Sequence, residues 1–302
     1  MTDHSSRDRL IWTVLIVLGV VVLAIAGTLG WAVMSDRLES AKKLDSATVL
    51  VESADRAVIA IDEVVRAELT AEIGRKAREL EPTIAPAKRQ LEDAVALVDA
   101  AYPHLNDTER RRAKLLRTTA NAKIQMLEQA PTILTANVKA AQAQPLADDA
   151  WARTLAADKL ADSAVASYNK LTKAGVQASA VNNAKAEQGF KEARDLFSQA
   201  ATAFPEAGMD RYVAYVDQKL VVVSISRKSD AAWLAGKLAE ANALIATYNA
   251  ADAKGVAMAK ALPASPATAI ADAYKAMADG ATEAYFEARK RASAADQELK
   301  AL

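Results

Sequence analysis

The chain has no cysteine in 302 residues. That excludes a disulfide framework, thiolate zinc sites, iron–sulfur clusters, a lipid-modified N-terminal cysteine and covalently attached haem. Histidine is nearly as scarce, with only His4 and His104. Neither has a glutamate three residues before it, so the Glu-x-x-His pairs of a di-iron bundle are missing. A histidine-based triad would have to use His104, which stands in the turn Tyr102-Pro103-His104 with nothing to mark a partner. There is no excess of either charge, with Lys+Arg 38 against Asp+Glu 38. A generic nucleic-acid or acidic-polymer binder needs a positive surplus, so that class is disfavoured. The Gly-rich phosphate loop, the dinucleotide fingerprint, H-E-x-x-H and G-x-S-x-G are all absent. We therefore expect no cofactor, no bound metal, no nucleic-acid partner and no enzymatic activity.

Alanine is abundant, with 71 residues, nearly a quarter of the chain. With only 10 glycines and 8 prolines, that composition favours helix, because alanine loses least on entering one. The expected fold is all-α. A single N-terminal transmembrane helix is followed by an elongated antiparallel helical bundle.

The anchor is read from residues 10–34, LIWTVLIVLGVVVLAIAGTLGWAVM, which carry no charge. About 20 apolar residues suffice to cross the hydrocarbon core. Trp12 and Trp31 stand 19 residues apart, about 28 Å along a helix. One indole then falls at each membrane interface, where amphipathic rings prefer to sit. A cleaved signal peptide is the rival, because Ala24-Ile25-Ala26 fits a cleavage site. The apolar run continues eight residues beyond Ala26, and the preceding MTDHSSRDR has no net positive charge, so an uncleaved signal-anchor is favoured. Arg7 and Arg9 on one flank against Arg37, Lys42 and Lys43 on the other do not fix orientation by the positive-inside rule. The body carries no recognisable cytoplasmic output module, and we place it outside the cytoplasm.

In the body, Val51, Ala54, Val58, Ile61, Val65, Leu69, Ile73, Ala77 and Leu80 recur at three and four residues, which predicts one helix over 36–80. Pro82 and Pro86 are expected to break or kink the chain before a second helix over 87–102. Asn106 and Glu109 form a capping box for a third, running to about 142 with a kink at Pro131. A helix over 147–204, a turn at 205–209, a helix from Asp210 to about Ala253 and a last helix from about Ala267 complete the reading. LVVVSIS at 220–226 is β-branched, but a lone strand would have no partner, so it is taken as buried helix.

The chain also reads as two repeats of about 105 residues. ADRAV at 54–58 pairs with ADSAV at 161–165. AKRQLEDAVALVDAAYP, ending at Pro103, pairs with KEARDLFSQAATAFP, ending at Pro205, and each is followed by a turn and an aspartate, Asp107 and Asp210. The expected organisation is a tail over 1–9, the anchor over 10–34, a first repeat over 35–145, a second over 146–262 and a C-terminal helix over 263–302.

Three features are candidates for function. Arg110, Lys114 and Arg117 share a helical face at i, i+4 and i+7 within the run RRRAKLLR and would suit an anionic partner, although a solvated face paired to neighbouring carboxylates is the commoner outcome. Tyr212, Tyr215 and Trp233 border the most apolar stretch of the second repeat and could line a groove, with core packing as the default. Asp158 and Asp162, at i and i+4, have the spacing to share a cation, but an exposed carboxylate pair beside Lys159 is more often a solvated face. The expected function is a membrane-anchored, non-enzymatic helical scaffold or interaction protein of the cell envelope. It would meet the membrane and a protein partner or a second copy of itself. The alternative is an extracytoplasmic helical-bundle sensor or module that binds a small-molecule ligand, and a small polar-lined cavity between helices would favour it.

Overall fold

A computed structural model describes the backbone from Ser5 to Leu302 and the side chains from Ser35 onward. Among the described residues there are seven α-helices, two single 3-10 turns and no strand. The helices are α1 (Ser5–Arg66), α2 (Ala71–Ala101), α3 (Asp107–Tyr168), α4 (Lys173–Ala203), α5 (Asp210–Leu234), α6 (Leu238–Ala261) and α7 (Pro266–Lys300). The chain is an all-helical bundle. Among the described residues no helix is long and apolar enough to cross a membrane. The expected anchor, with Trp12 and Trp31, lies outside the residues whose side chains are described.

Local signals set several helix ends as the sequence reads. The Asn106 side chain accepts from the Glu109 backbone N–H at 3.0 Å, and Glu109 accepts from the Asn106 N–H at 2.9 Å, so the capping box is formed. Pro103 and Pro205 each sit in a 3-10 turn after a helix, and Gly208 supplies the left-handed residue at φ 65° that closes the second turn. Ser265 caps α7 through the Thr268 N–H at 3.1 Å, with Pro266 as its first residue. Residues 220–226 lie within α5.

The breaks fall elsewhere than the prolines suggest. α2 runs unbroken through Pro82 and Pro86, and α3 through Pro131 and Pro145. All four prolines are exposed. The carbonyls freed by Pro82 and Pro86 belong to the exposed Arg78 and Pro82, where water can bond them, while those freed by Pro131 and Pro145 belong to the buried Leu127 and Ala141. The helices stop instead at 67–70 and 169–172, stretches with neither glycine nor proline. Each ends on a threonine cap. Thr70 accepts from the Ile73 N–H at 3.2 Å, and Thr172 from the Gly175 N–H at 3.0 Å. A third break, at Gly236 with φ 77°, divides the expected 210–253 helix into α5 and α6. α1 ends at Arg66 and α3 at Tyr168; α2 begins at Ala71 and α4 at Lys173. Both pairs are 102 residues apart, while ADRAV and ADSAV, 107 apart, fall out of that register.

The chain divides into two compact units that are not consecutive segments. One comprises Met1–Ala60, Pro82–Glu128 and Ala284–Leu302; the other comprises Ile61–Glu81 and Gln129–Glu283. The expected segment 35–145 contributes to both units, whereas 146–262 lies wholly in the second and 263–302 is split between them. In the first unit, Leu44, Val51 and Val58 of α1, Leu91 and Val98 of α2, Leu116 of α3 and Tyr285 of α7 are buried. In the second, Phe190 and Phe197 of α4, with Phe204 just beyond it, follow one another at seven-residue steps and are fully buried. Tyr212 stacks on Phe197 at 5.2 Å and meets Trp151 edge-on at 5.8 Å. Small residues elsewhere let backbones approach. A Cβ on Gly189 would stand 3.1 Å from that of Ala157. Alanine buries little area, so close approach over many turns replaces large side chains.

Candidate functional site

In the second unit, a cavity of about 200 Å³ lies between α3, α5 and α6. Three short helical patterns build it. The last turn of α3 and the residue after it offer Val165, Tyr168 and Asn169, at i, i+3 and i+4; α6 offers Ile245, Tyr248 and Asn249 at the same spacing; α5 offers Ser226 and Ser229. The first two triplets belong to near-identical pentapeptides, Val165-Ala166-Ser167-Tyr168-Asn169 and Ile245-Ala246-Thr247-Tyr248-Asn249. Each places an aliphatic residue, a phenol and an amide on the same cavity. Asn169 and Asn249 are exposed, the tyrosines and Ser226 half-buried, and Ser229 buried.

Behind the serines lies a polar network. The Asn183 amide of α4 donates to Ser226 Oγ and to Asp230 Oδ2, each at 2.8 Å. Ser226 thus accepts from Asn183 and borders the cavity. Ser229 Oγ lies 3.2 Å from Tyr168 Oη and 3.3 Å from the Ala241 carbonyl. Asp230 is 1% exposed, and its Oδ1 accepts no hydrogen bond. Burial raises its carboxyl above the usual carboxylate range, against the Asn183 hydrogen bond and the charge of Arg227. Burial also raises the Tyr248 phenol to about 12, with Asp252, Asp162 and Asp158 adding to the shift, so that hydroxyl stays protonated.

Asp158 is engaged by a lysine and a tyrosine of α5. Its Oδ1 pairs with Lys219 Nζ at 2.7 Å, and Tyr215 Oη donates to its Oδ2 at 3.4 Å. Burial raises this carboxyl too, partly offset by Lys219. Among the described residues, no group of three or more His, Asp or Glu side chains is placed to hold a metal ion.

Tyr212 and Tyr215 are buried, in the aromatic core and beside Asp158, and Trp233 is half-buried on α5; none of the three lines the cavity. Burial lifts the Tyr212 phenol to about 12 and pushes the Tyr215 phenol up as well. Of the basic run, Arg117 pairs with Asp99 at 3.2 Å and Arg112 with Asp45 at 3.1 Å. Arg110 lies 5.9 Å from the Tyr102 ring centroid and reaches the Pro103 carbonyl, and Lys114 is exposed. The cavity residues went unread in the sequence, yet the doubled [VI]-A-[ST]-Y-N pattern was there to find them. No protein-family model, no curated protein and no solved structure matches this chain.

Proposed function

We propose that this chain is a membrane-anchored, non-enzymatic interaction protein of the cell envelope, with its helical body outside the cytoplasm. The observation that carries the reading is the continuity of α1. The helix that contains the uncharged run 10–34 continues without a break to Arg66, and its later turns supply Leu44, Val51 and Val58 to a buried core. An anchor joined to the body through a flexible linker would tether it loosely; a continuous helix fixes the body's first element to the bilayer. Alkaline carbonate extraction tests the anchor. The full chain is expected in the membrane pellet and a chain lacking residues 10–34 in the supernatant. Release of the full chain by carbonate would remove the basis of the reading.

The cavity between α3, α5 and α6 favours a second reading, in which the body is a sensor or binding module for a small ligand. Its support is the concentration of hydrogen-bonding groups at one concave place. Six of the eight lining residues carry hydroxyl or amide side chains, which suits orienting a small molecule.

A further inference from the structure

We infer that the cavity bounded by α3, α5 and α6 is a binding site for a small organic cation, an alkylammonium of about the size of choline. The inference rests on the reading of this cavity as a ligand site and adds the ligand's chemistry. At about 30 Å³ per water, the cavity of about 200 Å³ holds roughly six or seven waters, and choline has a similar number of heavy atoms.

The chemistry follows from the wall and from what stands around it. The wall is uncharged, and its two largest members are the phenols of Tyr168 and Tyr248. Aromatic faces attract cations through the ring quadrupole, most strongly where water is excluded. The Ser226 hydroxyl and the exposed asparagine amides border the cavity, so a hydroxyl on the ligand finds both donors and acceptors.

The charges that act on the Tyr248 hydroxyl are all carboxylates, those of Asp252, Asp162 and Asp158. On α3, Asp162 lies one turn before Val165; on α6, Asp252 lies one turn after Tyr248. Neither has an ion-pair partner among the described residues, and both act on the Tyr248 hydroxyl. The neighbouring cations are occupied, Lys219 by Asp158 at 2.7 Å and Arg227 by Glu187, while Lys170 is exposed. An anionic ligand would meet two unpaired carboxylates, Asp162 and Asp252, against the exposed ammonium of Lys170, and a neutral one would gain nothing from them.

The test is calorimetric titration of the full chain in maltoside micelles with choline chloride and with its uncharged isostere, 3,3-dimethyl-1-butanol. Choline is expected to saturate one site and the isostere to bind on the order of tenfold more weakly. Asp162→Asn with Asp252→Asn should lower choline affinity about fivefold to tenfold and leave the isostere unchanged. Tyr248→Phe should retain choline and Tyr248→Leu lose it, with circular dichroism confirming that both variants fold. Equal binding of choline and the isostere overturns the cation assignment and leaves the cavity as a small-molecule site. Absence of binding by both overturns the cation assignment and the ligand-site reading together. Displacement of choline by phosphatidylcholine nanodiscs, and not by phosphatidylglycerol ones, identifies a lipid headgroup as the source; no displacement by either identifies the free cation. Either source supports the site.

Discussion

Lys123 is 5% exposed and is held by two aspartates of the first unit. Its Nζ lies 2.7 Å from Asp55 on α1 and 3.1 Å from Asp296 on α7, and Thr119 donates to the same Asp296 at 3.0 Å. A buried cation held by two carboxylates adds less stability than its Coulomb attraction suggests, because its desolvation must be offset. Removing it alone is worse, since two like charges then face each other. Lys123→Met should therefore lower stability by about 2 kcal/mol, less than a fully buried pair because both aspartates keep some solvent. Most of the loss should return when Asp55→Asn and Asp296→Asn are added, as read from denaturation midpoints. Asp230 makes the opposite case. Burial raises its carboxyl, so the folded protein holds that proton more tightly than the unfolded chain does. The contribution is favourable at low pH and declines as pH rises from the unfolded value through the raised one. Asp230→Asn should remove that decline, so its melting temperature gains on the wild type as pH rises from 4 to 8. A gap between the two that stays constant with pH would contradict the assignment. Neither network was legible in the sequence, because its members are far apart in the chain; Thr119 and Asp296 are separated by 177 residues.

At the scale of helices, what was legible was what is local. The capping box at Asn106 and Glu109 and the proline turns after α2 and α4 were read correctly, because their partners lie within three or four residues. The breaks at 67–70 and 169–172 were not, because the apolar spacing runs on through Val65, Leu69 and Ile73 as if the helix continued. The prolines misled for the converse reason, since all four rings sit on exposed helix faces where they displace no core packing. Proline still disfavours a helix interior, so Pro86→Ala in α2 should stabilise by about 1–3 kcal/mol. Two glycines should respond with opposite signs to the same change. A Cβ at Gly280 in α7 meets nothing within 4 Å, and Gly280→Ala should gain about 0.5–1 kcal/mol from helix propensity. A Cβ at Gly74 would run into the Ala141 methyl and stand 3.5 Å from the Asn137 carbonyl oxygen. Gly74→Ala should cost about 1–3 kcal/mol. Thermal melts of the two variants side by side decide whether close approach of α2 and α3 at this point depends on the missing side chain.

For the whole molecule, composition settled the helical class, while punctuation placed only the turns after α2, α4 and α6. The partition into compact units was not legible, because α1, α2, α3 and α7 each supply a stretch to either unit, and alanine-rich faces of equal width do not announce their partners. The cavity was half legible. Val165 to Asn169 and Ile245 to Asn249 repeat a pattern, but only folding shows that the two copies meet across Ser226 and Ser229. The central claim is that residues 10–34 cross the membrane and hold the body outside the cytoplasm. The chain has no cysteine, so single introduced thiols report position without background. The direct measurement is labelling of Ser5→Cys and Ala301→Cys with a membrane-impermeant maleimide, before and after lysis. The account predicts that position 301 reacts in intact cells and position 5 only after lysis. Protection of both positions until lysis would contradict it.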